Sequence, residues 1–431
     1  MVTAPSSGMI LEGLDGKQIT AEWLSEALRA APHGQQPLPS TQVASVEVVP
    51  KSERLTWPQS IGAKLRVDFK GRSPGFLYLK KVIGQDSQAK STFQLRRHLN
   101  SSRAEARFYR EFAEVLRARG VPVLRAPVIQ ERLSCLDVTT DSGEDEILRK
   151  GGLVLLLECP GESYTQTSPL TLEQATATLR ILADLHAAGW EDQELLTQAS
   201  KKLHSTGAYW SLQWREVEEI EKMKPFWKSY LQNFESYAPD LLSQDRFQRL
   251  PERILSVAER VAAELKPMPS DEFATLIHGD PKAMNMFLPE NASSDKVLLI
   301  DFQWTGVGFG LKDVAMHLPH SVHTSHLLDG GEERLVRVYY DLLMNALKRK
   351  DATGELGKSF SFQWAWHLYR FAFVDYARIV LCKFLENASP ETFESKAHRP
   401  NVGFVYRNVE ASLHFVQMVD RHLKYVEQYV A

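Results

Sequence analysis

Residues 276–287, Leu-Ile-His-Gly-Asp-Pro-Lys-Ala-Met-Asn-Met-Phe, and residues 297–302, Val-Leu-Leu-Ile-Asp-Phe, decide the fold of this 431-residue chain. Each stretch contains a short apolar run of the kind that forms a buried strand. Asp280 and Asn285 lie in the loop after the first run, and Asp301 ends the second run. The pattern therefore predicts two strands that hold two carboxylates and one amide close together.

This set of polar side chains suits phosphotransfer. One carboxylate accepts the proton of an attacking hydroxyl, while an amide and a second carboxylate supply hard oxygen ligands for Mg²⁺. Taken alone, an aspartate after a strand is more often a turn residue than a base. The prediction therefore depends on the joint pattern of Asp280, Asn285 and Asp301.

The same motifs resemble a known group of enzymes. His-Gly-Asp at 278–280, Asn285, and Ile-Asp-Phe at 300–302 after a short hairpin resemble the aminoglycoside phosphotransferase and choline kinase superfamily, whose members are relatives of the protein kinases. The early segment 19–24 resembles the leading helix of its ecdysteroid kinase-like branch. The resemblance implies that Asp280 is the catalytic base, that Asn285 and Asp301 bind the metal, and that His278 supports the catalytic loop.

Further segments match the superfamily in the expected order. The strand 76–81 ends in Lys80 and Lys81, and the resemblance requires a lysine here that reaches the α- and β-phosphates of ATP. Successive strand residues point to opposite faces of a sheet, so only one of the two lysines can reach the phosphates. Lys80 is preferred for this role, and Lys81 is the alternative. Glu105, on the following helix, matches the glutamate that pairs with this lysine, although a neighbouring arginine is an alternative partner.

Two more positions are implied in nucleotide binding. The strand 152–158 matches the strand that leads into the interlobe hinge, so the backbone near Glu158 is expected to meet the adenine ring. Between positions 52 and 66 the only glycine is Gly62. A phosphate cradle usually has more glycine, because its amides must approach the phosphates closely.

Two positions depart from or extend the core motif. Lys282 occupies a position where protein kinases place a lysine that neutralises the transferred phosphate, so it is expected to stabilise charge in the transition state. Asp313, in the segment 308–315, matches the aspartate that braces the catalytic loop.

Four histidines follow at intervals of three residues, a spacing that is not a known metal-binding motif. They are therefore expected to be exposed or to line a pocket: His317, His320, His323 and His326.

The pattern as a whole predicts an α+β, protein-kinase-like chain with two lobes. Residues 1–159 form a smaller lobe with a leading helix and an antiparallel sheet, and residues 160–431 form a mainly helical lobe with the catalytic loop and the acceptor pocket. ATP with Mg²⁺ is expected at the hinge. Strands are predicted over residues 43–49, 63–69, 76–83, 121–130 and 152–158, and helices over residues 19–30, 101–119, 172–188, 210–235, 246–265, 333–350, 360–385 and 405–430.

Composition excludes several other classes of protein. Lysine and arginine total 51 against 54 acidic residues, so the net charge of -3 provides no general attraction to nucleic acid. No apolar run approaches the ~20 residues of a membrane-spanning helix. The three cysteines are scattered and the first residues do not resemble a secretory signal, so the cytoplasm is the expected compartment.

The acceptor is expected to be the hydroxyl of a small molecule. The segment 303–308 runs quickly into Asp313 without a recognisable activation segment, which disfavours a protein kinase. The aromatic-rich segment 364–376 suits a largely apolar or cationic alcohol, such as a sterol or a choline-like compound. Because the glycine loop is thin, the alternative is a catalytically weak nucleotide-binding or scaffold protein of the same fold.

Overall fold

The computed structural model describes residues 11–14, 16–29, 42–49, 55–57, 60–71, 73–87, 89, 91–138, 143–290, 296–397 and 407–430. The chain divides into two compact units, Met1–Glu162 and Ser163–Ala431, called here the N-terminal and C-terminal units. The sequence pattern had placed the division between residues 159 and 160.

An antiparallel sheet forms the centre of the N-terminal unit. Its strands lie in the order β1-β3-β4-β6-β5, with β2 paired to β3. The strands are β1 (Val43–Val48), β2 (Leu55–Trp57), β3 (Ser60–Phe69), β4 (Gly75–Ile83), β5 (Val128–Arg132) and β6 (Gly152–Glu158). The predicted strand over 121–130 is wrong in its first part, because β5 begins only at Val128, where pairing with β6 begins.

Helices cover the sheet. They are α1 (Ala21–Arg29), α2 (Thr92–Arg107), which continues through a wide turn at Phe108–Phe112 into α3 (Ala113–Ala118), and α4 (Glu144–Arg149). The side chain of Ser91 caps α2 by accepting a hydrogen bond from the Gln94 N–H. Leu24 and Leu28 of α1 belong to the same buried cluster as Leu65 and Leu79 of the sheet, so the predicted leading helix is part of the core of this unit.

The C-terminal unit is mainly helical. Its helices are α5 (Leu172–Gly189), α6 (Gln193–Lys202), α7 (Val217–Glu221), α8 (Met223–Phe234), α9 (Pro239–Leu242), α10 (Asp245–Gln248), α11 (Leu250–Glu264), α12 (Leu311–Ser321), α13 (Gly331–Lys350), α14 (Phe362–Ile379), α15 (Pro390–Lys396) and α16 (Val409–Val430). Five short strands accompany them: β7 (Tyr164–Thr165), β8 (Thr275–Ile277), β9 (Met286–Pro289), β10 (Leu298–Leu299) and β11 (Gly306–Gly308). Among the helices within the described ranges, none is both long enough and apolar enough to cross a bilayer.

The predicted helix over 210–235 is wrong in its first part, because Leu212–Trp214 form a 3-10 turn and an α-helix begins only at Val217. The residues before it, 203–209, run along the segment 304–307, where the N–H groups of His204 and Ala208 donate to the carbonyl oxygens of Thr305 and Trp304 at 3.2 and 3.1 Å. The first residues of the predicted helix bond back to this segment, since the Ser211 hydroxyl donates to the carbonyl oxygen of Gly207 at 2.8 Å and Nε1 of Trp214 donates to that of Thr206 at 3.1 Å. Such tertiary contacts override local helix propensity.

Helix α14 is the centre of the C-terminal core. Its residues from His367 to Ile379 are buried with the exception of Arg370, and it packs against α11, α12 and α16. A helix that is buried on nearly all sides must be apolar around its whole circumference. The aromatic side chains of this segment therefore serve mainly the core.

One buried carboxylate joins three of these helices. Glu332, at the start of α13, accepts a hydrogen bond from the Tyr369 hydroxyl at 2.7 Å and lies 2.9 Å from Nε2 of His422, and Arg421 also contacts it. Burial by itself would raise the pKa of Glu332, but the charges and hydrogen bonds of His422, Arg421 and Tyr369 lower it below its ordinary value. The ionised carboxylate therefore stabilises the folded state.

We expect Glu332→Gln to lower the free energy of unfolding by about 2 kcal/mol at neutral pH, because a hydrogen-bonded buried charge is lost. Because the folded pKa lies below the ordinary value of 4.5, this stabilisation is present above pH ~4.5 and is lost as the pH falls through the folded pKa. Urea unfolding of both proteins at pH 7 and at decreasing pH measures the difference. Glu333→Gln, at an exposed neighbouring position, is the control, and a difference independent of pH would contradict the assignment.

Candidate active site

Two small sheets hold the loop of residues 278–285. Strand β8 enters the loop and pairs with β11, whereas β9 leaves it and pairs with β10. The loop ends in a single 3-10 turn at Ala283–Asn285. With both ends fixed in paired strands, the loop presents its side chains from a defined backbone.

Asp313, in the first turn of α12, anchors this loop. Its carboxylate accepts hydrogen bonds from the N–H groups of His278 and Gly279 at 2.7 and 2.9 Å. It also lies 3.1 Å from Nε2 of His186, whose Nδ1 is 2.7 Å from the Tyr339 hydroxyl. Burial by itself would raise the pKa of Asp313, but the hydrogen bond and charge of His186 lower it below its ordinary value. The anchor is therefore an ionised, fully buried carboxylate.

Gly279 has a backbone that only glycine suits. Its φ is +80°, and a Cβ atom at this position would overlap the carbonyl oxygen of Trp304. Its own carbonyl oxygen accepts a hydrogen bond from the N–H of Tyr209 at 3.3 Å. The residue before Asp280 is thus held between two segments that lie far from it in the sequence.

Asp280 is 3% exposed and points to two side chains of its own loop. Its Oδ2 accepts hydrogen bonds from Nζ of Lys282 at 2.7 Å and from Nδ2 of Asn285 at 3.1 Å. Burial raises the pKa of Asp280, the charge of Lys282 opposes that rise, and the negative charge of Asp301 adds to it. A raised pKa makes this carboxylate a better proton acceptor than an exposed aspartate.

The backbone of Asn285 bonds to Ile300, the residue before Asp301. The Ile300 N–H donates to the carbonyl oxygen of Asn285 at 3.0 Å, and the carbonyl oxygen of Ile300 lies 2.9 Å from Nε2 of His278. The Asn285 amide nitrogen donates to both the backbone and the side chain of Asp280, so its amide oxygen is directed away from them. Asp301 has a φ of 66°, and such strained backbone often occurs at functional sites.

In the N-terminal unit, Lys80 and Glu105 form an ion pair. Nζ of Lys80 lies 2.7 Å from Oε2 of Glu105, which is fully buried on α2. Lys81 is 4% exposed and follows on the opposite face of β4. Of the two lysines, it is therefore Lys80 that contacts Glu105.

Gly62 lies within a strand and not in a loop. It sits in β3 opposite Lys80 of β4, and a Cβ atom at position 62 would overlap the hydroxyl of Tyr78. Part of the segment 52–66 lies outside the described residues. The absence of a side chain at Gly62 is explained by the neighbouring tyrosine.

Glu158 ends β6. Its N–H donates to the carbonyl oxygen of Arg125 at 2.9 Å. The N–H of Cys159 donates to the carbonyl oxygen of Phe76 at 3.3 Å. Residue 160 is proline and has no N–H. The first N–H after these two therefore belongs to Gly161.

The structure thus brings the sequence-predicted residues together in two sets. The first set lies in the N-terminal unit and comprises Lys80, Glu105, Gly62 and Glu158. Within this set Lys80 contacts Glu105, and Gly62 lies opposite Lys80 on the neighbouring strand. The second set lies in the C-terminal unit and comprises His278, Asp280, Lys282, Asn285, Asp301 and Asp313.

Sequence reasoning missed Tyr209, whose N–H bonds to the carbonyl oxygen of Gly279, next to Asp280. Burial raises the pKa of Tyr209 well above its ordinary value, and nearby Tyr376 and the charge of Asp280 add to the rise. The ring of Tyr209 lies 6.3 Å from that of Trp304. No local motif indicates Tyr209, because it reaches the loop only through this backbone bond to a distant segment.

The expectation for His317 is wrong. It is neither exposed nor pocket-lining but fully buried, with Nδ1 2.7 Å from the carbonyl oxygen of Pro281 and Nε2 2.8 Å from the Thr178 hydroxyl. Burial lowers the pKa of His317 to about 4. It is a neutral scaffold residue that connects α12 to the 278–285 loop.

The C-terminal part of the chain is similar to a known family. Residues 161–351 match the model of the Ecdysteroid kinase-like family. The resemblance predicted from the motifs is confirmed. The matched residues include the 278–285 loop, Asp301 and Asp313. The predicted fold class, with an antiparallel sheet in the first unit and mainly helices in the second, is confirmed as well.

Comparison with solved structures finds three proteins that can be named here. A spectinomycin phosphotransferase in complex with ADP and spectinomycin is 10% identical, with a TM-score of 0.41 and 94% of this chain and 98% of that chain covered. The choline kinase LicA of Streptococcus pneumoniae is 12% identical (TM-score 0.37; 93% and 98% covered). An aminoglycoside phosphotransferase of Streptomyces rimosus, in complex with ADP and streptomycin, is 16% identical (TM-score 0.36; 83% and 97% covered). Comparison with curated protein sequences finds no match.

Proposed function

We propose that this chain is an ATP-dependent phosphotransferase that transfers the γ-phosphate to a hydroxyl of a small molecule. One observation carries the proposal. Asp280 lies on a doubly anchored loop, bonded to Lys282 and Asn285 and within electrostatic reach of Asp301. This is the combination of base, cation and oxygen ligands that phosphotransfer requires.

In the proposed mechanism Asp280 orients the acceptor hydroxyl and accepts its proton as the oxygen attacks the γ-phosphate. A general base of this kind must lie within hydrogen-bond reach of the proton. Lys282, whose ammonium already lies 2.7 Å from Oδ2 of Asp280, neutralises the charge that develops on the transferred group.

Asn285 and Asp301 are the residues that would hold Mg²⁺. Among the described residues, no group of three or more His, Cys, Asp or Glu side chains could hold a metal ion. One carboxylate and one amide oxygen nevertheless fit magnesium, because this ion commonly takes few protein ligands and completes its shell with water and substrate phosphates. When bound, Mg²⁺ would neutralise negative charge on the phosphates.

We assign the nucleotide phosphates to Lys80. Its contact with the buried Glu105 fixes the ammonium, which lowers the entropy cost of holding a phosphate. We expect Lys80→Met to weaken the binding of Mg²⁺ and the β,γ-imido analogue of ATP by about tenfold to hundredfold, because a charge-assisted hydrogen bond is lost. Isothermal titration calorimetry measures this change.

Lys81→Met is the matched control, since Lys81 is adjacent but on the opposite face of β4. Melting temperatures without nucleotide show whether each variant folds. Loss of nucleotide affinity in Lys81→Met and not in Lys80→Met would reverse the assignment of the two lysines.

A screen of hydroxyl-bearing metabolites tests the activity itself. ADP production with Mg²⁺ and ATP is measured for each alcohol, with sterol-like and choline-like compounds included. The proposal requires at least one alcohol that raises ADP production above the acceptor-free rate, and the phosphorylated alcohol must be found by mass spectrometry. The same signal with Asp280→Asn would exclude Asp280 as the base.

The second candidate function is a catalytically weak nucleotide-binding or scaffold protein. The position of Gly62 favours it, because this glycine is inside β3 and beneath Tyr78 instead of in a loop that brings amides to phosphate. Stabilisation by ATP without transfer to any alcohol is the result that this alternative predicts.

A further inference from the structure

Gln166 is a half-buried side chain that reaches the 278–285 loop from a distant part of the sequence. It follows β7, whose residues Tyr164 and Thr165 pair with β9, the strand that leaves the loop. The Nε2 amide group of Gln166 donates a hydrogen bond to the carbonyl oxygen of Met284. The two residues are 118 positions apart, so no local pattern indicates this contact.

The carbonyl group that Gln166 contacts belongs to the peptide unit that leads into Asn285. The other polar group of this unit, the N–H of Asn285, donates to the carbonyl oxygen of Lys282 at 2.8 Å. A peptide unit is planar, so bonds at both of its polar groups fix its orientation. Gln166 therefore holds one edge of the plane that ends at the Cα atom of Asn285.

The peptide unit after Asn285 is fixed in the same way. The carbonyl oxygen of Asn285 accepts a hydrogen bond from the N–H of Ile300 at 3.0 Å, and the N–H of Met286 donates to the carbonyl oxygen of Ala283. The two planes together determine φ and ψ of Asn285, and thus the direction of its side chain. Three of these four bonds join backbone groups, and the bond from Gln166 is the one that a substitution can remove.

We propose that Gln166 is a positioning residue for the metal ligand Asn285, and that its bond to Met284 sets the affinity of the site for Mg²⁺. The inference rests on the proposed function, in which Asn285 and Asp301 hold the metal. Residues that hold metal ligands from behind keep the ligand atoms in the geometry that the ion requires. Mg²⁺ is sensitive to displaced ligands, because it demands nearly ideal octahedral geometry.

The fold does not need this bond to hold β7 in place. Strand β7 pairs with β9 through the backbone, and the N–H of Glu290 donates to the carbonyl oxygen of Ser163 at 2.8 Å. The bond from Gln166 extends this attachment into the turn that contains Asn285. Its loss should therefore displace the turn more than it destabilises the C-terminal unit.

Binding of Mn²⁺, a paramagnetic substitute for Mg²⁺, tests the inference. Electron paramagnetic resonance measures the affinity of the full chain for Mn²⁺ when the β,γ-imido analogue of ATP is saturating. Gln166→Met keeps the length of the side chain but has no N–H donor. We expect it to weaken Mn²⁺ binding about tenfold, because partners of metal ligands contribute roughly 10–100-fold to metal affinity. The affinity for the analogue without metal should be unchanged.

Two further variants serve as comparisons, and melting temperatures show whether each variant folds. Gln166→Arg retains N–H donors at this position, so it should bind Mn²⁺ more tightly than Gln166→Met. Gln248→Met is the matched control. Gln248 also donates its Nε2 amide group to a backbone carbonyl oxygen, that of Leu242 at 2.7 Å, so its loss removes the same kind of bond without displacing Asn285.

The results separate this inference from the proposed function. Equal Mn²⁺ affinity in Gln166→Met and Gln248→Met would overturn the inference and leave the proposed phosphotransfer untouched. A wild type that binds the analogue but not Mn²⁺ would contradict Asn285 and Asp301 as metal ligands, and the inference would fail with them. Equal losses of Mn²⁺ affinity and of metal-free nucleotide affinity in Gln166→Met would indicate a general disturbance of the fold and would also overturn the inference.

Discussion

Asp280→Asn should lower the kcat of phosphate transfer by about 10³-fold, because general-base catalysis contributes roughly 10²–10⁴ in rate and an amide cannot accept the proton. The substitution preserves size and leaves an oxygen that Lys282 can still contact. Nucleotide affinity should therefore change little. Steady-state kinetics with the alcohol found in the screen, together with calorimetry of nucleotide binding, measure the two effects separately.

The same variant should be at least as stable as the wild type. The pKa of Asp280 is raised mainly by burial and further by the charge of Asp301, so ionisation of this carboxyl group costs more free energy in the folded than in the unfolded chain. A neutral amide removes that cost, as often happens when a functional residue is replaced. Urea unfolding without nucleotide or added metal tests this.

Asp271→Asn is the control for Asp280→Asn. Asp271 is exposed, and its carboxylate caps the turn at Met268, so activity should be unchanged. A large loss of stability in Asp280→Asn would mean that the carboxylate is chiefly structural and would contradict its role as a base.

The central part of the site could be predicted because its information is local. Asp280, Lys282 and Asn285 lie within one short loop, and their contacts with each other span five residues or fewer. Asp301 follows the next strand along the chain. Short spacing between strands restricts where such side chains can lie, so the motif alone predicts their proximity.

The rest of the site depends on contacts that no local pattern encodes. Tyr209 reaches the loop through a backbone bond to Gly279, and Ala208 adopts a positive φ because distant segments impose it. The apolar residues from Trp210 onward favoured a helix, but the side chains of Ser211 and Trp214 bond back to residues 206 and 207, and the α-helix begins only at Val217.

In the N-terminal unit, too, a local pattern predicts one part of the site and tertiary packing decides the rest. Strand alternation predicts that Lys80 and Lys81 point to opposite faces, but it does not say which face meets Glu105. That choice follows from the packing of α2, and the 2.7 Å contact involves Lys80. For Gly62 the resemblance suggested a phosphate loop, whereas the neighbour that explains the glycine is Tyr78 on the adjacent strand.

Asp313→Asn should lower both stability and kcat, although Asp313 contacts neither substrate in the proposed mechanism. The carboxylate accepts from the N–H groups of His278 and Gly279, and an amide offers only one oxygen to these two donors. One buried N–H then faces the new NH₂ group. We expect a loss of about 3 kcal/mol in the free energy of unfolding, as for other broken buried charge networks. Urea unfolding at pH 7 measures it.

The pH dependence of that loss identifies its cause. Because the folded pKa of Asp313 lies below its ordinary value of 3.8, the wild-type advantage should be present above pH ~3.8 and should disappear as the pH falls through the folded pKa. Tyr339→Phe, which removes only the hydroxyl bonded to His186, should cost about 1 kcal/mol by comparison.

The kinetic effect of Asp313→Asn separates positioning from binding. If Asp313 acts by holding the 278–285 loop, kcat should fall about 10²-fold while the affinity for Mg²⁺ and the ATP analogue changes little, since misplacement of a base by ~1 Å has an effect of this size. A loss of nucleotide affinity with unchanged kcat would contradict the positioning role. Since the bonds to the N–H groups of His278 and Gly279 lie directly before Asp280, the first result is the one that the geometry requires.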